Sequence, residues 1–344
     1  GTKENIMFHN SLDIHEIKEL RLNTLVSFGC GTIRKIEEIA AALEKRGVRS
    51  LPAVTGRGAY KTTGTWDYVV SALEKHHIKY VLCDKVTSDP TTAQIDEAAA
   101  LAKTIDAKAV LCIGGGSPTD AGKGVAILLE NPQYDAARLY EYKFTPEKAV
   151  PIIAINLTHG TGTEVDRVVV ATILEKEYKP AIVCDCIYPT WAIDDPALMT
   201  GLSEKQTRFV SIDAVNHSVE AVTIAIARRY YQLYASMLLP AVIKHIYPVR
   251  AVVLSDVLAP IVPGQKGDPA EAESAAKGVE KWLIASGAPE KLADEGFSAA
   301  DIDKLTELAF TTPSLNFLLS LAPDKADCAA VRQIYADSLT PLNK

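Results

Sequence analysis

Short apolar runs alternate with segments of helical periodicity along the first half of the chain. The apolar runs predict buried strands at 24–28, 51–55, 80–83, 109–113, 152–155 and 181–184. The segments between them predict helices that include 32–46, 65–76, 92–105 and 121–130. This alternation indicates a parallel sheet covered by helices on both faces, and ligands of such sheets bind beyond the carboxyl ends of the strands.

The pattern changes after Asp195 and Pro196, because strand-like runs become rare and helical periodicity dominates from Ser203 onward. The helices predicted there are 204–227, 230–246, 270–285 and 299–308. We therefore expect an α/β domain at residues 1–196 and an all-α domain at residues 197–344. A cleft between the two domains is the natural place for a substrate.

The balance of charge is slightly acidic, with 43 acidic and 36 basic residues. No basic stretch favours a nucleic acid or an anionic membrane as partner. No apolar run approaches the roughly 20 residues that a membrane span needs. The six cysteines form no Cys-x-x-Cys pair, and the N-terminal residues lack an apolar signal region. We therefore expect reduced thiols and a cytoplasmic protein.

A glycine-rich turn lies between a predicted strand and a predicted helix. Gly114, Gly115 and Gly116 are followed by Ser117 and Asp120. Glycines here let the backbone approach a phosphate, which the N–H groups at the start of the helix can then bind. Ser117 and Asp120 offer hydrogen bonds to a sugar or a phosphate-linked group. An ordinary turn, with one of these two side chains capping the helix, explains the same residues.

A second loop rich in glycine and threonine follows the predicted strand at 152–155. Thr158 and Thr161 of this loop are candidates for contacting a nucleotide. Taken alone, such a loop is more often an ordinary strand ending.

A carboxylate and an imidazole occur four residues apart in a predicted helix, at Asp213 and His217. That spacing places both side chains on one helix face, where they can bind a divalent metal. Taken alone, a pair on the helix surface is the more common explanation of this spacing, because two ligands do not complete a metal site.

Together these motifs resemble the iron-dependent (group III) alcohol dehydrogenase family. The matching segments are GGGSxxD at 114–120, GTGTE at 160–164, AIDDPxL at 192–198 and DAxxHxxEA at 213–221. Their order and spacing agree with the family over most of residues 24–245. The resemblance implies the dehydroquinate synthase-like (iron alcohol dehydrogenase) fold, with a dinucleotide-binding α/β domain and a helical metal- and substrate-binding domain.

The resemblance also implies hydride transfer between NAD(P) and a small-molecule alcohol or aldehyde. In the family one Asp and three His hold Fe²⁺, or Zn²⁺ in some relatives. Asp213 and His217 match the first two of these ligands, and Lys179 matches a basic cofactor contact. The metal lowers the barrier to hydride loss by stabilising negative charge on the substrate oxygen. A homo-oligomer is possible.

The chain departs from the family pattern after His217. Only His245 follows it, beyond the positions of the two remaining histidine ligands. Family segments are absent near 224–230 and 235–239. Either the protein has lost them, or the sequence omits residues that the protein carries. We expect omission, because a real loss would remove two metal ligands while keeping every nucleotide motif. Omission predicts a chain break at one or both places and an intact mass above 37.1 kDa.

The end of the second predicted strand bears on the choice of cofactor. Gly56 stands where NAD-preferring relatives have an acidic residue that binds the ribose 2′-hydroxyl. Arg57 or Lys61 can pair with a 2′-phosphate instead, so the sequence favours NADP over NAD. A plain turn with solvated basic residues is the alternative.

Two other functions are compatible with the motifs. One is a zinc-dependent dehydrogenase of polyols or glycerol with the same fold. The other is a truncated, non-catalytic nucleotide-binding relative.

Overall fold

The computed structural model describes residues 23–223, 235–312 and 326–343, with positions 319, 322 and 324. The strands are β1 (Leu25–Phe28), β2 (Ser50–Thr55), β3 (Lys79–Cys83), β4 (Val110–Gly114), β5 (Ile152–Asn156), β6 (Val168–Val170), β7 (Ala181–Val183) and β8 (Trp191–Asp194). Six of them form one parallel sheet in the order β1-β8-β5-β4-β2-β3. The predicted parallel sheet is confirmed.

Helices cover both faces of this sheet. Those that precede residue 196 are α1 (Ile36–Lys45), α2 (Ala59–Thr62), α3 (Thr65–Lys75), α4 (Thr92–Lys103), α5 (Gly116–Glu130) and α6 (Ala136–Tyr140). Alternate side chains of β4 enter two different cores. Leu111 and Ile113 pack with α1 and α3, whereas Val110 and Cys112 pack with α4, α5 and α6. A strand buried on both faces reads as a continuous apolar run, which is why the sequence pattern predicted it.

Helix α5 lies against the sheet with almost no space between them. Its residues from Ala121 to Leu128 are all buried. A Cβ atom at Gly122 would lie 2.2 Å from the Sγ atom of Cys112 on β4, so only glycine allows this approach. Burial raises the pKa of the Cys112 thiol to about 12. The tight packing holds the N-terminus of α5 at a fixed place on the sheet edge.

Five α-helices with described bounds follow residue 196. They are α7 (Glu204–Thr223), α8 (Ala235–Leu258), α9 (Ala272–Ala285), α10 (Ile302–Thr311) and α11 (Cys328–Asp337). A third apolar core forms mainly between α8 and α9 and includes Ile243, Leu254 and Val279. The change from strands to helices agrees with the sequence pattern, and the division at residue 196 stays a prediction.

The expectation that no apolar segment is long enough to span a membrane is corrected by α8. Its residues Met237–Leu258 have the length and mean hydropathy of a membrane span, and half of the most apolar stretch is buried inside the protein. The apolar character follows from the role of α8 in the third core, where Tyr247 and Leu254 are fully buried. Scattered polar residues hid this length in the sequence pattern.

Two expectations about strands are also corrected. The run predicted at 181–184 is not in the main sheet, because β7 pairs antiparallel with β6 as a separate hairpin. Its place in the sheet is taken by β8, which pairs with both β1 and β5 and was not predicted as a strand. Trp191 and Ile193 of β8 face the core, but the run is only four residues long.

The predicted chain break near 235–239 is wrong, because α8 begins at Ala235 and continues as helix through these residues. The other predicted break, near 224–230, lies outside the described residues. All six cysteines are free thiols, as expected.

Candidate active site

The two predicted glycine loops meet at the carboxyl edge of the sheet. β4 ends at Gly114, Gly115 is the cap residue, and α5 begins at Gly116. The neighbouring strand β5 ends at Asn156, and the next N–H group, that of Leu157, donates to the carbonyl of Gly114 at 2.9 Å. The free N–H groups at the start of α5 therefore open between the two loops, the arrangement that suits a bound phosphate.

The loops approach each other so closely that any side chain at position 115 would displace Thr158. A Cβ atom built at Gly115 would lie 2.4 Å from Oγ1 of Thr158. A Cβ at Gly116 would lie 3.1 Å from Cγ2 of Thr161. These residues were selected from the sequence for contacting a nucleotide, and the structure places them side by side.

A cavity of about 400 Å³ opens beside these loops. The ends of β2 and β4, the start of α5, the loop after β5 and residues that follow position 196 line this cavity. The lining residues include Gly56, Arg57, Gly114, Gly115 and Thr158. Arg57 is exposed, and no described residue forms an ion pair with it. A Cβ at Gly56 would lie at an ordinary 3.4 Å from the carbonyl oxygen of Val86. A Cβ atom at position 56 therefore meets no clash.

Several predicted cofactor residues lie outside the lining of this cavity. Gly116 and Thr161 lie against each other, and Ser117 is half-buried in the first turn of α5. Lys179 forms an ion pair with Asp89 instead. Both side chains of this pair are partly exposed. The role of Lys179 at the cofactor stays a prediction.

Asp120 is held in place by a network that sequence reasoning did not identify. Its Oδ1 atom accepts a hydrogen bond of 2.7 Å from Oγ1 of Thr163. The same hydroxyl accepts from Nζ of Lys123 at 3.0 Å. Lys123 also forms an ion pair of 2.8 Å with Asp166, and its side chain has no exposed surface. The signal in the sequence is a lysine one turn after Asp120, within the otherwise apolar stretch 121–128 of the helix.

The predicted metal residues lie together on α7. Asp213 is buried, and its Oδ1 atom lies 3.6 Å from Nε2 of His217. Nδ1 of His217 donates to the carbonyl oxygen of Gly160 at 3.1 Å. Because Nδ1 carries the proton of that bond, Nε2 is the nitrogen left for a metal, and it faces the carboxylate.

The donor set suits Fe²⁺ or Zn²⁺, since carboxylate oxygen and imidazole nitrogen are ligands for both. It supplies only two ligands. Within the described residues no group of three or more His, Cys, Asp and Glu side chains is arranged to hold a metal. His245 lies on α8, where its Nε2 atom is buried without a hydrogen bond to any described residue.

The second glycine loop also touches α7. Gly160 has a φ of +108°, and a Cβ there would lie 2.3 Å from the carbonyl oxygen of Val210. Nε2 of His159 lies 2.8 Å from Oγ of Ser211. The loop that borders the cavity is thus in direct contact with the helix that carries Asp213 and His217.

With this geometry in view, we compared the chain with known proteins. Residues 23–196 match the family model for iron-containing alcohol dehydrogenases. The chain belongs to this family. It is 46% identical to the long-chain primary alcohol dehydrogenase AdhA of Thermoanaerobacter ethanolicus, with 96% of this chain and 100% of that protein covered. Their alignment runs over 398 positions, whereas the chain has 344 residues, so the relative carries residues without a counterpart here.

Alcohol dehydrogenase 4 of Schizosaccharomyces pombe is 31% identical over 56% of the chain and 45% of its own length. Among solved structures, NADH-dependent butanol dehydrogenase A of Thermotoga maritima has a TM-score of 0.81 at 23% identity and covers 94% of this chain and 99% of its own. That likeness shows the fold. These comparisons confirm the predicted family and fold. They also confirm the predicted class of enzyme, an NAD(P)-dependent alcohol dehydrogenase of a family that contains iron.

Proposed function

We propose that this protein is a metal-dependent dehydrogenase that interconverts primary aliphatic alcohols and aldehydes, with NADP(H) as the preferred cofactor. The observation that carries the proposal is the meeting of the two glycine loops beside the cavity, with Asp213 and His217 one loop away. Family membership supports the reaction class.

In this proposal the cofactor lies in the cavity with its diphosphate at the start of α5. Gly114, Gly115, Gly116 and Ser117 receive the phosphates through backbone N–H groups. Asp120, Thr158, Thr161 and Lys179 are the further contacts proposed from the sequence.

NADP(H) is preferred in this proposal because Gly56 offers no carboxylate at the end of β2. An acidic residue there would bind a ribose 2′-hydroxyl and repel a 2′-phosphate. Arg57 lines the same cavity and is exposed, so its guanidinium can pair with that phosphate.

Asp213 and His217 would hold the metal, which the family name gives as iron. Bound there, the ion supplies a Lewis acid that stabilises negative charge on the substrate oxygen. The hydrogen bond from His217 to Gly160 fixes the imidazole ring in the orientation that this role needs. A nicotinamide cofactor bound beside the two glycine loops would supply the hydride acceptor or donor, and these loops would position it.

A long-chain primary alcohol is the proposed substrate class, since the relative that aligns over its whole length carries that name. We further propose two domains, at 1–196 and 197–344, and a cytoplasmic location. No nucleic acid or membrane partner is proposed, and a homo-oligomer is compatible with the chain.

The test is a steady-state assay of the purified protein. Its intact mass is measured first, and it is then loaded with Fe²⁺ or Zn²⁺. Turnover of 1-alkanols and their aldehydes with NADP(H) and NAD(H) is compared with turnover of glycerol and 1,3-propanediol. Preference for the alkanols supports the proposal, and preference for the polyols refutes the substrate class. Cofactor binding without turnover of any substrate in the metal-loaded protein would show a non-catalytic nucleotide-binding protein.

A further inference from the structure

Lys123 is a lysine whose side chain has no exposed surface, on the helix whose N-terminus is the proposed phosphate site. Burying an ammonium group is unfavourable unless each of its hydrogens finds an acceptor. Around Nζ lie Oγ1 of Thr163 at 3.0 Å, the carbonyl oxygen of Asp166 at 3.0 Å, Oδ1 of Asp166 at 2.8 Å and the carbonyl oxygen of Val168 at 2.9 Å. The charge is therefore fully compensated.

All four acceptors belong to one short segment, residues 163–168. This segment directly follows the loop of Thr158 and Thr161 that borders the cofactor cavity. Lys123 is thus the point at which helix α5 holds the end of that loop, two turns below the start of the helix. Hydrogen bonds to a charged group are stronger than those between neutral groups, so this attachment is a firm one.

A second contact continues the network toward the cavity. Thr163 accepts from Lys123 and donates its own hydroxyl hydrogen to Oδ1 of Asp120 at 2.7 Å. The hydroxyl can orient in only one way, because its single hydrogen is used by Asp120. Lys123 therefore fixes the direction of a carboxylate in the first turns of α5 without itself reaching the cavity.

We propose that Lys123 is a positioning residue for the cofactor. It holds the loop of Thr158 and Thr161 at the distance from Gly115 that the cofactor requires, and it orients Asp120 through Thr163. This inference rests on the proposed function, since it assumes that the cavity binds a nicotinamide cofactor.

The test compares two variants of this network with a matched control. Lys123→Met removes the ammonium group, and Thr163→Val removes only the hydroxyl. The control is Lys291→Met. Lys291 is a second buried lysine, whose Nζ lies 2.5 Å from Oε1 of Glu280 between two segments of the helical part of the chain. The dissociation constants of NADPH and NADH are measured by fluorescence titration below each melting temperature, and KM for the cofactor is measured separately from kcat.

We expect Lys123→Met to weaken binding of NADPH by about tenfold or more, in the range for loss of a charged hydrogen bond. Thr163→Val should weaken it several-fold with little change in melting temperature. Both should raise the KM of the cofactor more than they lower kcat. Lys291→Met should lower the melting temperature and leave the dissociation constant unchanged.

A purely structural lysine would behave as the control does. Unchanged cofactor affinity in both Lys123→Met and Thr163→Val, with only the melting temperature lowered, would overturn the inference. If Lys123→Met does not fold, the affinity of Thr163→Val decides. Wild-type protein that binds neither cofactor would instead refute the proposed function, and this inference with it.

Discussion

Replacing Gly115 by alanine tests whether the close approach of the two glycine loops matters for cofactor binding. The new Cβ atom would lie 2.4 Å from Oγ1 and 3.2 Å from Cγ2 of Thr158, whereas such contacts are essentially never below 3.0 Å. Thr158 must therefore move by at least about 0.6 Å, away from the start of α5. The backbone at position 115 has a φ of −89°, outside the left-handed region that favours glycine.

Overpacking of this kind costs about 1–3 kcal/mol. If this free-energy cost falls on the cofactor-bound form of the protein, the dissociation constant of NADPH rises by about 5-fold to 150-fold. The assay is a fluorescence titration with NADPH, accompanied by circular dichroism and a melting curve that establish the folded state of each variant.

A double-mutant cycle separates the clash from any other effect of the new methyl group. In the Thr158→Ala background the nearest remaining side-chain atom of residue 158 is Cβ, at an ordinary 3.4 Å. Gly115→Ala should then cost less than about threefold in affinity, and the difference between the two backgrounds is the coupling energy. An equal loss of NADPH affinity in both backgrounds would refute the reasoning, because the contact with Thr158 would then not be the cause of the loss.

Three further outcomes are expected. Gly56→Asp should shift the ratio of dissociation constants for NADPH and NADH toward NADH by about tenfold or more, measured by titration with both cofactors; an unchanged ratio contradicts the NADP preference. The hydrogen bonds that His76 donates to the carboxylates of Glu44 and Glu37 raise the pKa of His76. Their contribution is complete below about pH 6.5 and is lost as pH rises through the raised pKa, so melting curves should show His76→Gln destabilised at low pH but not at high pH. Lys291→Met should cost about 3–5 kcal/mol in chemical denaturation, and a cost near zero would show an uncharged site.

The sequence predicted five of the six strands of the main sheet, β1 to β5, and missed only β8. β4 and β5 are buried on both faces, so their apolar runs are unmistakable, and the glycines after β4 mark the turn into α5. β8 was missed because a run of four residues ending in Asp194 is too short to distinguish from a loop. β7 was predicted as a strand but placed in the wrong sheet, since a periodic pattern carries no information about which strand is its partner.

The site residues that could be predicted are those with a local signature in the sequence. Gly114, Gly115 and Thr158 could be chosen because a glycine loop after a buried strand has a local signature. Lys123 could not, because its acceptors lie about forty residues away on a segment that only the folded chain brings near. A lysine in an apolar helix reads as a solvent-facing residue until the structure shows that it is buried.

The contacts of Gly160 join the loop of Thr158 and Thr161 to α7, the helix that carries the proposed metal ligands. Its φ of +108° and the nearby carbonyl of Val210 leave no space for a side chain, so the loop lies directly on α7. Its own carbonyl then accepts the hydrogen bond from His217 that leaves Nε2 free for a metal. A side chain at position 160 would push the loop away from α7 and break that bond. The residue that shapes one edge of the cofactor loop therefore also sets the orientation of a metal ligand, and the two halves of the proposed site cannot be displaced independently.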